Sequence, residues 1–284
     1  NKGDLIAALD INDSVGILDN YFDECKFFNS FERFERFLFK NQLSKNKIDY
    51  MSVCSPNHLH DTHIRFSLYN NCNVICEKPI VLYPHNIEML DNLEKKVDRK
   101  VFSILQLRYH PNVKKIKKKI ENENKVYDID LTYITARGPW YQYSWKGDDK
   151  KSGGITTNIG VHFFDLLSYI FGSFKDVVVH LNTVNKASGY LELEKARVRW
   201  FLSVDKSDLP DGNEHKKTFR SIKINEEEFD LSYKFDDLHD ICYREIMAGR
   251  GFGLDDVKQS IEIVSQIRTK NIEPNKREKH PLIN

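Results

Sequence analysis

The stretch Asn73-Val74-Ile75-Cys76-Glu77-Lys78-Pro79 decides how this chain is read. Val74, Ile75 and Cys76 form a short uninterrupted apolar run, closed by two charges and a proline. An apolar run without alternation suits a strand buried on both faces, the habit of parallel sheets. Pro79 breaks the run and restricts Lys78 to extended backbone, which fixes the aim of its side chain. The same unit recurs on either side. Residues 4–10 and 48–54 are apolar runs upstream, the first closing on Asp10, and residues 101–107 follow downstream. Turn signals and a short helix pattern cover 11–24, and apolar residues at helical spacing cover 29–39, 58–71 and 84–97. Strands alternating with helices predict parallel βαβ units.

From about residue 126 the pattern changes. Segments 126–137, 176–186, 189–205, 217–224 and 227–233 alternate and are rich in Val, Ile, Tyr and Thr, which predicts a larger, mostly antiparallel sheet. Helices over 158–171, 236–249 and 253–269 would cover one of its faces and leave the other as an oligomer surface. The fold class is therefore an α/β Rossmann-type dinucleotide-binding domain over 1–108. An α+β domain over 109–284 follows, part of it packing back on the first.

A dinucleotide-binding domain ordinarily opens with a strand and a G-x-G-x-x-G turn, with an acid about 20 residues later. Asp10 stands where that acid belongs, and no glycine-rich turn precedes it. The reading expects roughly 25 residues upstream of Asn1. Taken without them, the parallel sheet should be split, because the first strand lies between the second and the fourth. Dinucleotide binding should then be weak.

Composition narrows the class of partner. Apolar residues make up 40% and charged residues 30% of 284, as in a water-soluble domain pair. The net charge of +1 removes bulk electrostatics as an argument for nucleic acid, and the basic run Lys114-Lys115-Ile116-Lys117-Lys118-Lys119 reads as a solvated helix face. No apolar stretch is long enough to span a membrane, so no membrane partner is expected. The five cysteines form neither a C-x-x-C pair nor a disulfide framework, which predicts reduced thiols in a cytoplasmic protein and no metal.

Four groups of residues carry chemistry. Asp10, at a strand end, can accept both hydroxyls of an adenosine ribose and would repel a 2′-phosphate, favouring NAD over NADP. Ser55-Pro56-Asn57-His58-Leu59-His60 follows a strand and opens a helix, at the place where such folds bind ligands, although capping alone would explain it. Lys78, facing a cleft, can donate to a substrate hydroxyl or take its proton once desolvation lowers its pKa. In Gly153-Gly154-Ile155-Thr156-Thr157-Asn158-Ile159-Gly160-Val161-His162-Phe163-Phe164-Asp165, the polar residues Asn158, His162 and Asp165 share one face of an otherwise apolar helix. Such a face needs internal partners or a ligand. The Gly153-Gly154 turn lets backbone approach that ligand.

Together, Glu77-Lys78-Pro79 after a strand, Ser55-Pro56-Asn57 with His60 upstream, and the Gly153 to Asp165 stretch resemble the Gfo/Idh/MocA oxidoreductases. The stretches Ile104 to Pro111, Arg137 to Tyr141, Ser144 to Gly147 and Gly249 to Leu254 resemble the WlbA/WbpB-type branch of that family. The resemblance implies NAD as cofactor and the 3″-hydroxyl of UDP-N-acetyl-glucosaminuronic acid as the group oxidised, in surface-polysaccharide (lipopolysaccharide O-antigen) sugar synthesis. It implies Lys78 and His162 as catalytic residues, and Asp10, Asn12, Ser55, Asn57, His60, Glu77, Lys78 and Gln106 as the lining of the NAD cleft. Arg108, Tyr141, Ser144, Trp145 and Lys146 become candidates for the sugar carboxylate and hydroxyls, beside Lys78 and His162. Many relatives have Asp where this chain has Asn158. An amide cannot take a proton at neutral pH, so Asn158 is read as orienting substrate only. The resemblance also implies a homotetramer and, in some relatives, 2-oxoglutarate as the hydride acceptor that regenerates NAD. A glycosidase using transient oxidation, and an NAD-binding sensor without catalysis, stay open as alternatives.

Overall fold

The computed structural model describes residues 3–42, 47–213, 215–231 and 237–283. Five strands lie in the first half: β1 (Ala7–Leu9), β2 (Lys26–Phe28), β3 (Tyr50–Val53), β4 (Asn73–Cys76) and β5 (Val101–Ser103). All of them pair in parallel. They form two sheets, β1-β2 and β3-β4-β5. The strand β2 is absent from the sequence reading. Its three residues pair only with β1, too short a run to carry a period. Val53 lies beside Cys76 and Cys76 beside Ser103, so β3, β4 and β5 end level. The residues that follow them therefore share one edge.

The helices between these strands follow their sequence signals. Helix Phe31–Gln42 buries Phe34 and Leu38, one turn apart on a single face. Helix Pro84–Val97 opens with its proline in the first turn, where the missing N–H costs nothing, and closes on the left-handed Asp98. It coincides with the expected segment.

Six strands build the second sheet: β6 (Tyr127–Thr135), β7 (Phe174–Asn182), β8 (Lys186–Leu193), β9 (Ala196–Ser203), β10 (Thr218–Ile224) and β11 (Glu227–Glu228). Their order is β11-β10-β6-β9-β8-β7, with β6–β9 the parallel pair and the rest antiparallel. The single strand expected over 189–205 is instead the hairpin of β8 and β9. Alternation runs straight through its turn, Glu194-Lys195, which has no Gly, Pro or Asn to announce it. The turn is held from outside: Lys195 Nζ donates to the carbonyls of Ile120 and Glu123 at 2.9 Å each. The expected strand 227–233 contracts to Glu227–Glu228, and its residues 232 and 233, like residue 236 of the expected helix 236–249, lie outside the described residues.

Helices Val161–Phe171 and Leu254–Thr269 lie against one face of this sheet, with Trp200 edge-on to Phe164 at 5.4 Å and Tyr133 against Phe163 at 4.7 Å. The other face is not bare. Residues 270–283 cross it: the Glu273 N–H donates to Val179 O at 2.8 Å, and His280 stacks on Phe201 at 5.7 Å while bonding Thr132 at 3.0 Å. One apolar cluster runs through both halves, from Val74 and Leu90 through Val264 and Leu166 to Trp200. The site between the halves thus rests on a shared core. No described helix is long and apolar enough to cross a membrane.

Gly189, in β8, is where backbone and indole approach closest. A Cβ there would stand 2.6 Å from Trp200 Cζ2 and closer still to the Val178 carbonyl oxygen. Gly189→Ala is expected to cost about 3 kcal/mol, as overpacking does at a site with no room to relax. Urea unfolding reads it, and an unchanged midpoint would show that the strands can part at no cost.

Candidate active site

The level ends of β3, β4 and β5 bring together three loops that begin with Cys54, Glu77 and Ile104. Ligands of open parallel sheets bind at such carboxyl edges. Lys78 leaves β4 there, and its Nζ donates to the Asn158 carbonyl at 3.4 Å. Asn158 belongs to a π-helical turn, Thr156–Gly160, that runs into helix Val161–Phe171. Single π turns inside helices are frequent at functional sites. Gly153 and Gly154 feed the turn at φ of 80° and 75°, and a Cβ on Gly153 would meet Thr157 at 2.8 Å.

Lys78 and His162 line one small cavity, together with Pro79, Asp165, Ser103 and Ile261. Burial pushes the Lys78 ammonium down to about 8; Glu77 opposes that, while the charges of Lys146 and Arg137 add to it. His162 is driven well below its usual value, first by burial, then by the nearby charges of Lys78 and His239. At neutral pH the pair is a neutral imidazole beside a lysine with an appreciable free-amine fraction. That arrangement can accept a proton from a hydroxyl.

The other expected residues divide. Asp10 closes β1, and its carboxylate accepts from the Asn12 N–H at 2.9 Å and from Asn12 Nδ2 at 3.1 Å; both residues are exposed. Ser55 Oγ sits 2.9 Å from His63 Nδ1. Glu77 faces His239, with Oε1 and Nε2 3.6 Å apart. Gln106 is buried after β5, and its Oε1 has no partner among the described residues. These positions sit on the carboxyl edges of β1, β3, β4 and β5. An exposed carboxylate at the first of those strands and an orphaned amide oxygen at the last fit a dinucleotide laid across them.

Asn57 and His60 are placed differently from the expectation. The Asn57 amide donates to Ser152 O at 2.8 Å and to Asn158 Oδ1 at 3.4 Å, so it joins the two halves. His60 is 1% exposed, with Nδ1 2.7 Å from Pro79 O and Nε2 2.7 Å from Ser55 O. Both of its nitrogens face protein carbonyls and none faces the cleft.

Arg108 is the clearest correction. It was expected at the sugar carboxylate, yet it is 5% exposed and its fork is taken. Nε and Nη2 donate to the two carboxylate oxygens of Asp165 at 3.0 and 2.7 Å. Nη1 donates to Asp256 Oδ1 at 3.2 Å and Nη2 to Asp256 O at 2.7 Å. The rings of Tyr169 and Phe252 flank it at 4.6 and 4.7 Å. Asp165 therefore holds Arg108 and supplies no free carboxylate to the helix face shared with His162.

Of the remaining candidates, Tyr141 reaches the site: its hydroxyl accepts from Asn158 Nδ2 at 2.9 Å. Ser144 caps the turn Trp145–Gly147 through the Lys146 N–H, and its Oγ donates to Tyr141 O at 2.8 Å. Lys146 is exposed, with its ammonium 5.6 Å from the Trp145 ring centre. Three residues escaped the sequence reading. His239 and Tyr243 lie one turn apart on helix Leu238–Met247, and Tyr243 OH bonds Ser52 Oγ at 2.9 Å. Their i, i+4 spacing was a usable signal. Arg137, whose charge reaches both Lys78 and Tyr141, has no local sequence mark beyond its place in the stretch Arg137 to Tyr141.

Residues 4–104 match the model described as "Oxidoreductase family, NAD-binding Rossmann fold". Residues 117–225 match its companion, "Oxidoreductase family, C-terminal alpha/beta domain". The chain belongs to the Gfo/Idh/MocA oxidoreductase family. Within it, the structure is similar to the WlbA (WbpB) dehydrogenase of Thermus thermophilus in complex with NAD and alpha-ketoglutarate. The TM-score is 0.94 at 45% identity, over 98% of this chain and 91% of that one. The same dehydrogenase in complex with NAD and UDP-GlcNAcA matches at 0.94 and 44%, with the same coverage. Among curated relatives, the D-glucoside 3-dehydrogenase of Escherichia coli is 26% identical over 140 residues, 47% of this chain. The matched stretches span 39% of that enzyme and 35% of the putative oxidoreductase YteT of Bacillus subtilis, about a third of the relatives' length.

Removing one partner of the Arg108–Asp165 pair leaves the other charge buried, which costs about 3–5 kcal/mol. Arg108→Met is expected to lower stability by that much in chemical denaturation. If Arg108 instead bound substrate, the variant would keep its stability and lose only affinity.

Proposed function

We propose that this chain is an NAD-dependent sugar dehydrogenase that converts the 3″-hydroxyl of UDP-N-acetyl-glucosaminuronic acid (UDP-GlcNAcA) to the 3-keto group. One observation carries the reading: Lys78 and His162, from opposite halves of the chain, line one cavity at the carboxyl edge of the parallel strands. The likeness at 44% identity to a dehydrogenase in complex with NAD and UDP-GlcNAcA supports the choice of substrate.

NAD, when bound, supplies the acceptor for the hydride that leaves the carbinol carbon. The chain must manage the proton. Lys78 Nζ takes it from the hydroxyl as the carbonyl forms, so that the C–H electrons leave as hydride and the O–H electrons stay to make the C=O bond. With its pKa lowered to about 8, the Lys78 amine is partly free near neutral pH. His162, neutral, hydrogen-bonds the same hydroxyl and keeps a second cation out of the cavity. Asn158, held by Asn57 and Tyr141, sets the sugar's orientation without trading protons. Asp10, Asn12, Ser55, Glu77 and Gln106 provide the cofactor edge.

The proposal includes reoxidation of the bound cofactor by 2-oxoglutarate, supported by the relative in complex with alpha-ketoglutarate. It also includes a homotetramer acting in the cytoplasm on sugars bound for surface polysaccharide. The five unpaired thiols accord with that compartment.

Lys78→Met is expected to lower turnover of UDP-GlcNAcA by about 10²–10⁴-fold with NAD still bound. Full activity in that variant, followed at the absorbance of reduced nicotinamide, would remove Lys78 from the reaction. Because the free amine is the active form, wild-type kcat/KM should climb with pH and level off above about 8; a flat profile over that range counts against Lys78 as base. With 2-oxoglutarate and substrate but no added NAD, the purified enzyme should complete many turnovers. A single turnover would mean that the cofactor is released instead.

A further inference from the structure

With Arg108 locked inside the fold, the acid group of the sugar needs another reader. β6 ends at Thr135, and the next two residues continue its hydrogen bonding: Ala136 N–H donates to Lys217 O at 2.8 Å and Arg137 N–H to Val204 O at 3.0 Å. The backbone of Arg137 is thereby fixed at the sheet's end. Its side chain is exposed and has no ion pair or hydrogen bond among the described residues. Just beyond it, Tyr141 N–H bonds Gly138 O, turning the chain so that the phenol enters the site and meets Asn158. The carbonyl of that same Asn158 receives the Lys78 ammonium. Lys146, past the turn capped by Ser144, is a second exposed cation without a carboxylate partner among the described residues.

Neither cation has an ion pair among the described residues, and the charges of both help to depress Lys78. Like charges gathered in one cleft raise the local concentration of an incoming anion. A guanidinium suits a carboxylate in particular, because its fork matches two oxygens at once. A hydroxymethyl group in the same place offers no charge and one oxygen.

We propose that Arg137, seconded by Lys146, binds the carboxylate of the acid sugar and so sets the preference for uronic over neutral UDP-sugars. The inference rests on the sugar-dehydrogenase reading above and names the specificity residue within it. The carboxylate also screens Lys78 from the two cations, so the acid substrate brings its own correction to the base.

Calorimetric titration of the NAD-saturated protein with UDP-GlcNAcA and with UDP-GlcNAc separates the sources of anion. Wild type should bind the acid sugar about tenfold or more tightly than the neutral one. In Arg137→Gln that ratio should collapse while binding of UDP-GlcNAc holds, and Arg137→Lys should recover part of it. A second readout is the pH profile. With one cation gone, the Lys78 limb of kcat/KM should move to higher pH, which loss of a merely structural residue would not cause. An equal loss for both nucleotides would assign Arg137 to the diphosphate and overturn the proposal, as would an unchanged preference. Wild-type protein that binds both sugars and oxidises neither would sink the dehydrogenase reading and leave the binding test standing.

Discussion

Arg108 carries a full charge at 5% exposure, and the fold tolerates it because four of its five guanidinium N–H groups are answered. Asp165 takes two N–H groups, Asp256 takes two more through side chain and backbone, and two aromatic rings close the faces. Three separate pieces of chain meet there: the loop after β5, helix Val161–Phe171 and the start of helix Leu254–Thr269. His162 sits one turn before Asp165, and Gln106 sits two residues before Arg108. The ion pair therefore sets where the imidazole of one half stands relative to the cofactor edge of the other. A buried pair of this kind is a weak source of net stability and a strong source of register.

Around that register the electrostatics are arranged by subtraction. Glu77 is the carboxylate that holds the Lys78 charge up, and it also faces His239. Burial and two further cations outweigh it, so the amine is poised near physiological pH. His162 stays neutral for the same reasons. A stronger ion pair at Lys78 would hold the proton on and remove the base. The site is thus built from incomplete neutralisation, which a closed, fully paired interior such as that around Arg108 does not offer.

How much of this the sequence carried depends on whether the governing contacts were local. The strand Asn73–Cys76, the lysine at its end and helix Pro84–Val97 were legible because their causes lie within a few residues: an apolar run, a proline that breaks it, a proline in a first helical turn. The meeting of Lys78 with the His162 helix was legible from motif order. Arg108 was misread because its partners stand 57 and 148 residues away, and nothing nearby marks it as paired. The β8–β9 turn was missed because Lys195 draws its support from a distant helix end. The π turn before His162 has no compositional mark; it shows only in which carbonyl faces which amide. Arg137 was passed over because an exposed arginine with no ion pair among the described residues looks like ordinary surface until the fold brings its charge to bear on the base.

His60 adds a proton count to this picture. Its ring lies between the carbonyls of Ser55 and Pro79, 2.7 Å from each, and burial keeps it neutral. A neutral imidazole owns a single N–H. Two acceptors compete for that one hydrogen, so each tautomer grips one strand end and loosens the other. The turn that follows β3 and the peptide just past the base are coupled like the arms of a balance, with the tautomer as its tilt.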